Sequence, residues 1–191
     1  MAKLAVVIGS TRPGRVGLPV ADWFVERARA HGGFEELDVI DLLELDLPLL
    51  DEPRHPRLRE YENAHTKAWS ARVDSADAFV LVIPEYNHGF TAPVKNALDY
   101  LHHEWQYKPV GFVSYGGVAA GTRAMQMLKP VLAAVRMTPV VEAVNIPFVQ
   151  QFLDDGRFRA NDVLEQAVPA MLDELVRVEA ALRVLRAPVE A

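Results

Sequence analysis

Three short apolar runs constrain this chain more than any other feature. They are "LAVVIG" (4–9), "AFVLVIP" (78–84) and "PVGFVSYGG" (109–117). Each is apolar at consecutive positions, the pattern of a strand covered on both faces. Each ends in Gly or Pro and leads into a helical pattern. Two weaker strands, "FEELDVIDL" (34–42) and "PVVEAVNIP" (139–147), join the same alternation. Helical periodicity occupies 16–33, 58–77, 92–104, 118–137 and 161–186. Five strands, each followed by a helix, predict an α/β fold: a parallel sheet with helices on both faces.

The details sharpen this outline. Pro19 and Pro93 fall in first helical turns, where the missing N–H is harmless. Pro130 sits inside the fourth helix and predicts a kink or a break. Asp162 and Glu165 have capping-box spacing. "LELDLPLLDEPRHPR" (43–57), with three prolines, reads as a long loop, a place where function often lies. A basic-acidic loop follows 147. There is no repeat, linker or low-complexity tract, so one domain is expected over 1–191.

Composition excludes several chemistries. The chain has 191 residues, no cysteine and a formal charge of -6. Without cysteine there is no disulfide, thiolate nucleophile or cysteine-ligated metal. The negative balance argues against nucleic-acid partners. The apolar run near the start is too short for a signal peptide. No run approaches the roughly 18 residues of a membrane span. A cytoplasmic protein with no membrane partner is expected. A nucleophile elbow fails because Phe112 stands where Ser114 would need a glycine. "HHEWQY" (102–107) has Tyr107 where a zinc helix needs its second histidine. No metal site is expected.

In an open parallel sheet, ligands bind at the carboxyl ends of the strands where strand order reverses. Three strand ends carry unusual chemistry: "GSTRPGRVG" (9–17), "PEYNHGF" (84–90) and "SYGGVAAG" (114–121). With order 2-1-3-4-5 they would meet at one crevice. The first loop lacks the second glycine of a dinucleotide fingerprint. It also lacks the lysine and hydroxyl of a Walker loop, since Arg15 and Val16 follow Gly14. What remains is Ser10, Thr11 and Arg12 beside backbone N–H groups at a helix start. That set suits a phosphate monoester held without metal. The same residues also read as a tight glycine turn with surface arginines. The second loop offers Glu85, Tyr86, Asn87 and His88, groups able to stack on and hydrogen-bond a planar ring. The third, with Ser114, Gly116 and Gly117, permits close backbone approach.

These three motifs, with "PEYNHGFTAPVKNALDYL" (84–101) the most distinctive, resemble the NADPH-dependent FMN reductase family of flavodoxin-like fold. The resemblance covers nearly the whole chain in element order and implies a three-layer fold with sheet order 2-1-3-4-5. It implies that Ser10 and Arg12 hold the FMN phosphate. It places Pro84, Glu85, Tyr86, Asn87 and His88 along the isoalloxazine ring, and Ser114, Tyr115, Gly116 and Gly117 near its far edge. Hydroxyls or an asparagine often follow the phosphate loop in such proteins. Here Gly17, Leu18 and Pro19 follow, so contacts from Gly17 and Leu18 must be backbone N–H. Ala120 stands where a glycine is common.

The implied activity is hydride transfer from NADPH or NADH to FMN and then to a small acceptor, by a ping-pong mechanism, with no catalytic side chain. The acceptor is left open among flavins, quinones, azo compounds and others. A flavodoxin-like electron carrier or an FMN-binding redox module without turnover is the alternative. Tyr86, His88 and Arg15 are candidates to orient a substrate; Arg15 or Arg123 could meet the extra phosphate of NADPH. Lys95, Asn96 and Asp99 would brace a loop or an interface. A homodimer or homotetramer is implied. Trp105, Tyr107 and the 43–57 loop could form its surface or cover their own domain.

Overall fold

In a computed structural model of the chain, residues 2–186 are described. The elements run β1 (Lys3–Ile8), α1 (Gly17–His31), β2 (Glu36–Asp41), α2 (Leu42–Leu45), α3 (Ala64–Asp74), β3 (Ala78–Pro84), α4 (Ala92–Asp99), β4 (Pro109–Tyr115), α5 (Thr122–Ala134), β5 (Thr138–Ile146), β6 (Leu153–Asp154), β7 (Arg157–Phe158) and α6 (Asp162–Leu182). Strands β1 to β5 form one sheet of order β2-β1-β3-β4-β5. All its pairings are parallel. The order reverses beside β1, so the carboxyl ends of β1 and β3 flank the switch point.

The three apolar runs occupy the centre of the sheet. Every residue of β3 and β4 is buried. Side chains alternate across the sheet and feed two cores. One packs Val6, Val80, Val113 and Val144 against α1 and α6, with Phe24, Met171 and Leu175 at its heart. The other packs Val7, Phe79, Leu81 and Phe112 against α3, α4 and α5, around Trp69, Trp105 and Leu128. Helices therefore cover both faces, as the consecutive apolar pattern requires.

Several boundaries differ from the sequence reading, each for a local reason. The third helix starts at Ala64 rather than 58, because the Glu52 carboxylate accepts the Glu62 and Asn63 N–H groups at 2.8 and 2.9 Å and fixes the chain there as a loop. The 43–57 segment is not wholly irregular: α2 opens it, capped by the Asp41 side chain at Leu43 N, and a single 3-10 turn spans Pro56–Leu58. The helix expected over 92–104 ends at Asp99, and His103–Trp105 form a separate turn. Glu104 is turned inward there, where it accepts from Tyr61, Ser70 and the His102 N–H. Helix α5 continues through Pro130 without a break; the carbonyl it frees belongs to Gln126, which is exposed to water. The capping box is replaced by Asn161, whose side chain accepts from Leu164 N at 3.0 Å. Glu165 instead reaches α1, taking Trp23 Nε1 at 3.0 Å and Arg27 Nε at 2.8 Å. The loop expected after 147 contains a 3-10 turn and the β6–β7 hairpin.

Trp105 belongs to the core and not to a surface, being 2% exposed. Tyr107 is half-buried, and its hydroxyl accepts from Arg136 at 2.7 Å.

Lys108, just before β4, is a buried cation. Its Nζ donates to the Val73 and Asp74 carbonyls at 2.9 and 3.0 Å, closing the end of α3. Burial pushes it down from 10.5 to about 8. Between those values the unfolded chain keeps a proton that the folded chain has released, so this group makes stability rise with pH across that window. Wild type should therefore gain stability relative to Lys108→Met as pH increases from 8 to 10. Urea unfolding of both proteins at pH 7, 8.5 and 10 checks this; a pH-independent difference would contradict it.

Candidate functional site

The β1–α1 loop begins where the chain leaves the sheet at Gly9. A side chain at Gly9 would strike Val94 Cγ2 at 2.5 Å, so the loop and α4 meet closely. Thr91 Oγ1 donates to Gly9 O at 2.5 Å and ties the two segments. Arg15 then folds back. Its guanidinium donates to Ser10 O at 2.5 Å and grips both oxygens of Asp41. Asp41 closes β2, directly beside Ile8 in the sheet. Burial pushes the Asp41 carboxyl up, but Arg15 and the Leu43 N–H outweigh it and hold it below the ordinary range. Arg15 is thus a staple of the loop, committed to Asp41 and not free to orient a substrate.

The loop hands over to α1, whose first turn has no side-chain cap and no acidic residue. The Gly17 and Leu18 N–H groups come too early to find a helical acceptor, Pro19 has no N–H, and Val20 N is the first to bond, to Val16 O. Unmatched N–H groups at a helix start attract an anion. Ser10 is buried, and Arg12 is exposed with no ion pair among the described residues.

The β3 end forms a two-residue hairpin. Tyr86 and Gly89 exchange both backbone bonds at 3.0 Å, with Asn87 and His88 at φ 50° and 70° between them. Asn and His tolerate this left-handed geometry better than most residues. Asn87 and His88 are exposed at the tip, while Tyr86 points its hydroxyl to within 3.5 Å of Ser10 Oγ. Glu85 is engaged by Arg123 through Nε at 2.6 Å and through its backbone N–H at 3.2 Å. Burial alone would raise the Glu85 carboxyl; Arg123 and the backbone donors hold it low instead. Arg123, like Arg15, already has an internal partner.

The β4 end supplies Tyr115, Gly116 and Gly117. Ser114 is fully buried, and its hydroxyl serves Ala120 O and Asn145 Oδ1, both at 2.8 Å. It braces the glycine loop from below. Phe148 N donates to Gly117 O and Val149 N to Gly116 O, so the turn after β5 forms a further wall.

These segments enclose one cleft of about 170 Å³. Among the expected site residues, Ser10, Arg12, Pro84, Glu85, Tyr86, Tyr115 and Gly116 line it. Gly14, Arg15, Val16, Val149 and Gln150 line it too. Gly17 lies just behind, against the Tyr115 hydroxyl. Leu18, Asn87, His88, Ser114 and Gly117 are not in its lining. A larger cavity of about 600 Å³ lies between α1 and the β6–β7 hairpin. Of its lining groups, Trp23 and Arg27 are both bonded to Glu165, and no residue of 9–17, 84–90 or 114–121 lines it.

The cleft fits a phosphorylated flat ring. One end has uncapped N–H groups, a free arginine and a buried serine. The other has the glycine backbone at Gly116. A model of the NADPH-dependent FMN reductase family matches residues 2–151. The chain belongs to that family. An NAD(P)H-dependent FMN reductase of Schizosaccharomyces pombe is 40% identical over 149 residues, 76% of this chain and 74% of the relative. One of Saccharomyces cerevisiae is 35% identical over 159 residues, 76% of this chain and 81% of the relative. The flavoenzyme NAD(P)H:(acceptor) oxidoreductase FerB of Paracoccus denitrificans shares the fold, with a TM-score of 0.72 at 21% identity over 95% of this chain and 98% of FerB. This member of the FMN reductase family is an oxidoreductase, and its cofactors are FMN and NAD(P)H. Among the described residues, no helix is long and apolar enough to cross a membrane.

Proposed function

We propose that the chain binds FMN in the cleft and transfers hydride from NAD(P)H to a small acceptor, with nicotinamide and acceptor occupying one face in turn. The observation that carries this reading is the polarity of the cleft: an anion-binding helix start at one end and open glycine backbone at the other. When bound, FMN supplies a hydride acceptor and donor at its N5, which no side chain here can replace.

The chain's own residues bind and orient. Arg12 and the Gly17 and Leu18 N–H groups hold phosphate, with Ser10 beside them. Arg15 fixes the loop through Asp41. Pro84, Glu85 and Tyr86 flank the ring, with the exposed Asn87–His88 turn following them. Gly116 and Gly117 give backbone access to the ring edge, with Ser114 supporting them from behind. Shared use of one face by two substrates calls for ping-pong kinetics. Flavins, quinones and azo compounds fit as acceptors because each takes two electrons through a planar conjugated system.

A homodimer or homotetramer in the cytoplasm belongs to this reading. Leu43, Leu49 and Leu50 are exposed, at 47, 82 and 42%, on the segment after β2. A second copy would cover them.

The test is a visible spectrum of the purified protein after FMN is added and excess removed. On anaerobic NADPH the flavin bands should bleach rapidly, and steady-state lines at several acceptor concentrations should be parallel. A flavin spectrum that persists with NADPH and NADH would point to a carrier or a binding module instead.

A further inference from the structure

Helix α1 opens with Gly17, Leu18 and Pro19, none of which offers a side-chain donor to an anion at its N-terminus. The structure brings a hydroxyl to that place from elsewhere. Tyr115, the last residue of β4, lies on the face of the sheet covered by α1 and α6. Its side chain is directed toward the start of α1. A Cβ built on Gly17 would stand 2.6 Å from Tyr115 Oη and 3.3 Å from Ser10 Cβ. The hydroxyl therefore takes the space that a side chain at 17 would occupy.

Two further facts single it out. Tyr115 is 3% exposed, and its hydroxyl lies beside Ser10 without a hydrogen bond of ordinary geometry. Buried hydroxyls are nearly always satisfied, so an unsatisfied one on a residue that lines a cleft calls for an explanation. Ser10, Arg12, Gly14 and Val16 line the same cleft. Next to the phenol stands the start of α1, whose first turn has no acidic residue and no side-chain cap.

We propose that Tyr115 is a phosphate ligand, its hydroxyl donating to a phosphate oxygen of FMN at the start of α1. The assignment rests on the FMN reading above. It moves Tyr115 from the far edge of the ring to the phosphate end. It also accounts for Gly17: the donor that a hydroxyl or amide would supply from the helix comes here from β4, and only glycine leaves room for it. Burial raises the Tyr115 phenol well above its ordinary range, so the group remains a proton donor throughout the neutral region. Arg12 supplies charge from the exposed side, and Tyr115 supplies a neutral, fixed donor from the buried side.

Riboflavin has the same ring without the phosphate, which gives the test. Apoprotein is titrated with FMN and with riboflavin, followed by quenching of flavin fluorescence. Wild type should prefer FMN. Tyr115→Phe should weaken FMN binding about tenfold and leave riboflavin binding unchanged. Gly17→Ser combined with Tyr115→Phe should recover part of the preference, since it returns a hydroxyl to the same space from the helix side. Gly17→Ser alone should weaken FMN, because its Cβ and the Tyr115 hydroxyl collide. An FMN-to-riboflavin ratio in Tyr115→Phe equal to that of wild type would overturn the assignment while leaving the FMN reading intact. Equal loss of both flavins, with a lowered melting temperature, would reduce Tyr115 to a packing residue and also overturn it. A wild type with no preference for FMN over riboflavin would remove the phosphate reading itself, and this assignment with it.

Discussion

Trp105→Ala is expected to lower the unfolding free energy by about 3–5 kcal/mol, the range for deleting a large aromatic from a core. The indole is 2% exposed. It leans on Phe79 with centroids 5.1 Å apart and meets Trp69 edge-on at 5.9 Å. Its Nε1 donates to Leu98 O at 3.2 Å, in the last turn of α4. Truncation leaves a void between β3 and two helical segments and removes one donor from that carbonyl, which keeps the Leu101 N–H at 3.3 Å. Collapse is hindered because Phe79 sits on a central strand that cannot shift without breaking the sheet. Urea unfolding of wild type and variant measures the loss. A change under about 1 kcal/mol, the usual size for surface positions, would mean that the ring lies on an exposed face. Tyr107→Ala is the useful contrast, since its ring is half-buried and its hydroxyl bonds the exposed Arg136.

Trp105 also shows what a sequence can and cannot disclose. Consecutive apolar residues announced the buried strands, and the alternation with helices announced a parallel sheet. The switch-point rule then singled out three strand ends, and residues from all three line one cleft. These inferences depend on patterns along the chain. The apolarity of Trp105 said only that it is covered, and whether by its own domain or by another copy depends on where α3 and β3 lie. The Arg15–Asp41 staple joins residues 26 apart that meet because Ile8 and Asp41 are register partners. No local spacing encodes that pair. The wall formed by Val149 and Gln150 follows β5 and carries no glycine motif of its own. One signal was present and unused. Side chains alternate along a strand, so Ser114 and Tyr115 could not both point into one cleft from β4. Ser114 points away from it, to Ala120 and Asn145, and Tyr115 lines it. Similarly, Asn87 and His88 suggested ring contacts by their chemistry, whereas their left-handed backbone explains their presence in a tight turn.

Arg12→Ala is expected to weaken FMN binding by about 1.5–3 kcal/mol, roughly 10- to 150-fold, the scale of hydrogen bonds to a charged group. The side chain is exposed, makes no ion pair among the described residues, and precedes the Arg15 staple. Its removal therefore leaves the loop held by Arg15, Asp41 and Thr91, and the melting temperature of the apoprotein should stay within experimental error. This separates Arg12 from Arg15, whose loss would release Ser10 O and Asp41 together. Riboflavin affinity should be unchanged by Arg12→Ala, since the ring end of the cleft is built from other segments. Wild-type FMN affinity should also fall as salt rises, because an exposed guanidinium–phosphate contact is screened. That dependence should be shallower in the variant. Equilibrium titrations of both flavins at low and high ionic strength measure all of these effects. An unchanged FMN affinity in Arg12→Ala would exclude this arginine from the phosphate site and leave the charge of the phosphate to the start of α1 alone.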